Sequence, residues 1–130
     1  MRSAAQTYKS VARQTSNPRE LEASLLLQAA ARLQSVHDGW DHDARMQANL
    51  SDALLYNRKL WSVFLAEMTD ANNPMPRDLR QNVANIGLFV MNQTVTVMQD
   101  PKPEQLGPLI NINRRDRRGV ARPRLRKHPV

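Results

Sequence analysis

Residues 81–99 read QNVANIGLFVMNQTVTVMQ, nineteen positions without a charge, bracketed by Arg80 and Asp100, in a chain of which 24% is charged. A helix over this stretch has no solvated charged face, so something must cover it on more than one side. It is not a membrane span. Gln81, Asn82, Asn85, Asn92, Gln93, Thr94, Thr96 and Gln99 are too polar for hydrocarbon. Two apolar stripes run through it at heptad-type spacing. Leu79, Val83, Ile86, Val90 and Val97 form the first, with Gln93 in the open slot. Ala84, Leu88, Met91, Val95 and Met98 form the second, on roughly the opposite side. Thr94-Val95-Thr96-Val97 alternates like a strand, but the 3.5-residue period continues through it, so the sequence predicts a helix over 79–98. That helix is either the centre of a soluble bundle or a helix with one face kept for a partner.

The flanking residues extend the helical reading. Upstream, Asn72-Asn73-Pro74-Met75-Pro76 is a turn, with Pro76 suited to open the next helix. Before it, Asn49 is the candidate cap of a helix in which Tyr56, Val63, Leu60, Ala53, Phe64, Leu50, Met68, Trp61, Leu54 and Leu65 span an arc of roughly 200°. Asn57 sits within that arc and reads as a structural hydrogen-bond anchor. An earlier helix opens at Asn17-Pro18 with Glu20 in a capping-box-like place. It carries Leu21, Leu25, Ala29, Leu33 and Val36, and stops at Asp38-Gly39. Residues 38–48 read as a polar connection holding Trp40, with room for a helical turn. Ala4, Tyr8, Val11 and Ala12 share a helical face over Ser3–Gln14. Downstream, Asp100-Pro101-Lys102-Pro103 breaks the long helix, and Leu106, Leu109, Ile110 and Ile112 predict a short last one from about Pro108. The expected fold is all-α, a small bundle of four to six helices with a disordered basic C-terminal tail.

Charge divides the 130 residues unevenly. Residues 1–113 hold 11 Lys/Arg and 11 Asp/Glu, whereas 114–130 carry the whole net charge of +7. We therefore expect a helical domain at 1–113 and an Arg-rich tail at 114–130. Arg114, Arg115, Arg117, Arg118, Arg124 and Arg126 are the candidate contacts to RNA or another anion, although the plain reading of such a run is a solvated extension. No cysteine and no apolar leader are present, which fits a cytoplasmic protein.

Catalytic signatures are missing. The four glycines are scattered and form no phosphate-binding loop. The cluster His37-Asp38-Gly39-Trp40-Asp41-His42-Asp43 has neither the spacing of a helical histidine pair nor that of a calcium loop, and it reads as an interhelical connection. The expectation is a non-enzyme without metal or cofactor.

Four segments resemble one known family. These are Ser16-Asn17-Pro18-Arg19-Glu20-Leu21-Glu22, Tyr56-Asn57-Arg58-Lys59-Leu60-Trp61, the run from Asn73-Pro74-Met75-Pro76 through Leu79 to Val90, and Leu109-Ile110-Asn111-Ile112-Asn113. Together, over about residues 3–113, they look like FlaF, the flagellar biosynthesis regulator of alphaproteobacteria. The resemblance implies an all-helical cytoplasmic protein needed for flagellin production or export. It also implies a companion regulator, FlbT, acting on flagellin messenger RNA, and no enzyme activity. The basic tail lies outside the resemblance.

Two functions follow as expectations. The first is an export chaperone that shields an amphipathic helix of flagellin in a groove of Leu88, Met91, Val95 and Met98, with Trp61 and Phe64 at its rim. The second is a translational regulator acting on messenger RNA, directly or through FlbT. The tail has no interleaved aromatics for base stacking, which disfavours direct contact. Self-association through the two-striped helix is a third, plainer option.

Overall fold

The computed structural model describes residues 18–121, with side chains described from 20 to 115. Four helices make up this part: α1 (Pro18–Asp38), α2 (Ala44–Met68), α3 (Arg77–Gln99) and α4 (Leu106–Ala121), with a 3-10 turn at Pro103–Gln105 leading into α4. No strand occurs among the described residues. The all-α bundle expected from the sequence is the fold observed. The helix expected at Ser3–Gln14 and the Asn17 cap lie outside the described residues.

Each boundary has a local cause. Helix α1 starts at Pro18, whose missing N–H costs nothing in a first turn. At its end the Gly39 amide still donates to the Ser35 carbonyl at 3.1 Å, and Gly39 needs no left-handed backbone to stop the helix. Helix α2 begins at Ala44, earlier than the expected cap at Asn49. Asp43 is the cap: its Oδ1 accepts from the Met46 amide at 2.8 Å, which lets Met46 enter the core. The expected polar connection at 38–48 therefore shrinks to a short loop. At the other end of α2, Thr69 Oγ1 donates to the Ala66 carbonyl and Asn73 Nδ2 to the Glu67 carbonyl. These bonds satisfy carbonyls that the helix leaves without partners.

Helix α3 stays helical through Thr94-Val95-Thr96-Val97. The threonine hydroxyls turn back on the helix, Thr94 Oγ1 to the Val90 carbonyl at 2.7 Å and Thr96 Oγ1 to the Asn92 carbonyl at 3.2 Å. Their polarity is absorbed locally, and the β preference of the segment finds no neighbouring strand to act on. The last helix starts at Leu106 and runs to Ala121. It is longer than expected, and the boundary drawn at residue 113 falls inside it. Residues 122–130 lie outside the described residues.

The helices close a ring: α1 packs on α2, α2 on α3, α3 on α4, and α4 most extensively on α1. Leu25, Leu26, Leu33, Leu54, Trp61, Phe64, Val90, Val97, Leu106 and Leu109 fill the centre and are almost wholly buried. Trp61 and Phe64 meet edge to face with ring centroids 5.4 Å apart. Val63, placed in the apolar arc by the sequence, is instead exposed on the outside of α2. Near the start of α1, Glu22 lies beside Glu67 from the last turn of α2. Burial, and then the adjoining Glu67 carboxylate, push Glu22 up to about 8. Burial likewise raises Glu67 above the ordinary glutamate range.

Candidate partner-binding face

The two stripes of α3 have separate fates. Val83, Val90 and Val97 of the first are buried, joined by Gly87 and Thr94, while Leu79 and Ile86 are half-buried. The bundle takes this side. Gly87 sets the distance: a Cβ there would lie 2.7 Å from Leu65 Cδ2 of α2, so the two helices meet where a side chain is missing. The second stripe remains largely outside. Leu88 is 56% exposed, Val95 48% and Met98 39%, and Met91 is half-buried against the core.

Four of the six residues assigned from sequence to one groove thus run along one side of α3: Leu88, Met91, Val95 and Met98. Trp61 and Phe64 do not form its rim. They are 0% and 1% exposed. The reason is chemical as well as steric. Trp61 Nε1 donates to Asn113 Oδ1 of α4 at 3.0 Å, and Asn113 Nδ2 donates to Asn57 Oδ1 at 2.7 Å. This relay draws Trp61 inward between α2 and α4, and Phe64 packs on its ring. Asn57 is the buried anchor that its place in the apolar arc suggested. Its partner Asn113 was not read as such, although it follows Leu106, Leu109 and Ile110 on one helical stripe.

Beside the exposed stripe, positions 81–99 of α3 are uncharged. Gln81, Asn85, Asn92 and Gln99 are exposed and border it on the side away from Val83, Val90 and Val97. Gln81 Nε2 donates to Asn85 Oδ1 at 2.9 Å. On the bundle side, Gln93 Nε2 donates to the Gln105 carbonyl at 3.0 Å and ties α3 to the turn before α4.

Of the basic candidates, Arg114 and Arg115 are exposed on α4, and Arg114 donates to Gln34 Oε1 of α1 at 3.2 Å. Arg117 and Arg118 belong to α4, with side chains outside the described residues; Arg124 and Arg126 lie outside them altogether. The His37–Asp43 cluster is dispersed into local bonds: His37 Nδ1 lies 3.1 Å from Asp38 Oδ1, the His42 amide donates to Asp41 Oδ1, and Asp43 caps α2. Among the described residues no three His, Cys, Asp or Glu side chains come together as metal ligands. An open hollow of about 650 Å³ lies where α1 ends and α2 begins. Arg32 and Arg45 line it together with Asp41, Asp43 and Asp52, so it has no single sign of charge. No helix among the described residues is long and apolar enough to cross a membrane.

No curated protein and no solved structure matches the chain. Residues 4–120, which include all four helices except the final residue of α4, match the family model described as flagellar protein FlaF, and the chain belongs to that family.

Proposed function

We propose that this flagellar protein binds flagellin in the cytoplasm as an export chaperone, without catalysis or cofactor, and so couples flagellin synthesis to secretion. The observation that carries this reading is the second stripe of α3, which keeps Leu88, Val95 and Met98 exposed after the bundle has closed. Their 3-4-3 spacing, with Met91, matches the contact row of a second helix lying alongside. Methionine suits a surface that must fit more than one side-chain shape.

The magnitude fits a carrier. A half-exposed side chain of this kind has about 1 kcal/mol left to gain on burial, so three supply a few kcal/mol before ordering costs. That is enough to shield an amphipathic helix and too little to hold it permanently. The test is size exclusion of the full chain with purified flagellin. The wild-type chain co-elutes with flagellin, whereas Leu88→Asp with Met98→Asp remains helical and monodisperse but elutes apart. Co-elution of the folded double variant would show that flagellin, if bound, sits elsewhere.

A further inference from the structure

The uncharged border is the least expected property of the α3 surface. Every exposed position from Gln81 to Gln99 is uncharged, while exposed positions of α2 carry Asp52, Arg58 and Lys59. A face that only meets water is most readily kept soluble by charge. A face that is periodically covered is different. A charged side chain loses its hydration on docking, and with no opposite charge on the partner that loss costs several kcal/mol. An amide loses less and recovers it with one hydrogen bond. At 100° per residue, Gln81, Asn85, Asn92 and Gln99 form a stripe about 40° wide, centred about 75° from the apolar row. Apolar row and amide stripe thus lie side by side along one helix.

We infer that this face takes a partner helix whose own apolar row is bordered by amides and hydroxyls rather than by charges. Resting on the chaperone reading, this names the class of helix selected: one bearing acidic or basic borders is rejected, because positions 81–99 of α3 offer its charges no counter-charge. Selection works by penalty on the wrong helix as much as by attraction to the right one. A second copy of this chain is not the occupant. Permanent homodimers bury about 2,000 Å² or more, and the exposed apolar side chains of α3, Leu88, Phe89, Val95 and Met98, do not approach that.

Three synthetic amphipathic peptides test it. They share one leucine heptad row, bordered by Gln, by Glu or by Lys, and are titrated against the full chain by calorimetry. The Gln-bordered peptide binds. The Glu- and Lys-bordered peptides bind at least about tenfold more weakly, and the affinity of the first changes less than about twofold between about 0.05 and about 0.5 M salt. Leu88→Asp removes the binding while leaving the circular dichroism unchanged. Equal or tighter binding of either charged peptide, a steep salt dependence, indifference to Leu88→Asp, or no binding by any peptide overturns the inference. A stable dimer that Leu88→Asp dissociates overturns it too, by giving the face to a second copy. Flagellin measured in parallel separates the two ideas. If flagellin does not bind but the peptides rank as stated, only the chaperone reading fails. If flagellin binds through Leu88 and the peptides rank otherwise, only the inference fails.

Discussion

The indole of Trp61 has a donor and no acceptor, and this fixes the polar centre of the bundle. Because Nε1–H needs an acceptor, Asn113 must turn its oxygen to Trp61, and its amide NH2 then faces Asn57 Oδ1. Asn57 consequently points its own Nδ2 away, where it has no hydrogen-bond partner, as is also true of the buried Tyr56 hydroxyl. The relay thus satisfies its first four groups and leaves the last, Asn57 Nδ2, short, a cost of about 1–3 kcal/mol carried in the native state. Asn113 is the member on which the other two depend. Asn113→Ala strands Trp61 Nε1–H and Asn57 Oδ1 together, and we expect a loss of about 2–4 kcal/mol in urea-induced unfolding. Asn57→Ala removes one already imperfect contact and costs less. The two losses are not additive: once Asn113 is gone, removing Asn57 adds little, which a double-mutant cycle reads directly.

Helix α3 shows how far sequence reading goes along one element. Its uncharged run and two heptad rows were legible because a helix repeats its faces every 3.5 to 3.6 residues, and the structure keeps both rows on that helix. Which row the bundle takes was not legible, since Val83-Val90-Val97 and Leu88-Val95-Met98 are equally apolar. The deciding residue is Gly87, at the edge of the first row, which lets Leu65 of α2 approach. A glycine in mid-helix reads only as a weak spot until the neighbour is seen. The Trp61 and Phe64 misplacement has the same root: a 200° arc states how much of α2 is covered, but not by what. The Asp43 cap was missed because Asn49 offers an equally good cap to the same apolar pattern. Gly87 makes a further prediction. Gly87→Ala gains helix propensity of about 1 kcal/mol, but its Cβ would lie 2.7 Å from Leu65 Cδ2 and 2.8 Å from Leu65 Cγ, so the whole half-buried Leu65 side chain must change rotamer. The two effects offset, leaving stability within about 1 kcal/mol of wild type. Gly87→Leu has no such escape and forces α3 off α2, with a loss of about 2–3 kcal/mol in thermal or urea unfolding.

For the molecule as a whole, charge balance makes the pH dependence of stability unusually local. The chain carries +7 overall, but residues 18–121, which hold the four helices, contain 12 Lys/Arg and 12 Asp/Glu, so repulsion across the fold contributes little near neutrality. What remains is the carboxyl pair that joins the start of α1 to the end of α2. Glu22 is raised from 4.5 to about 8, chiefly by burial and then by the Glu67 carboxylate. Between those two values the folded chain holds a proton that the unfolded chain has released. Stability contributed by the neutral form is therefore fully present below pH 4.5 and falls as pH rises toward 8. Glu67, also raised by burial, acts in the same direction. Glu22→Gln keeps the shape of the protonated acid and removes its charge at every pH. We expect it to raise the melting temperature by a few degrees at pH 8, to change it little at pH 5, and to flatten the decline between them. An opposite slope in the wild-type chain, with stability increasing from pH 5 to pH 8, would mean that the pair is ionised and stabilised by a cation in the fold, and Glu22→Gln would then destabilise at pH 8.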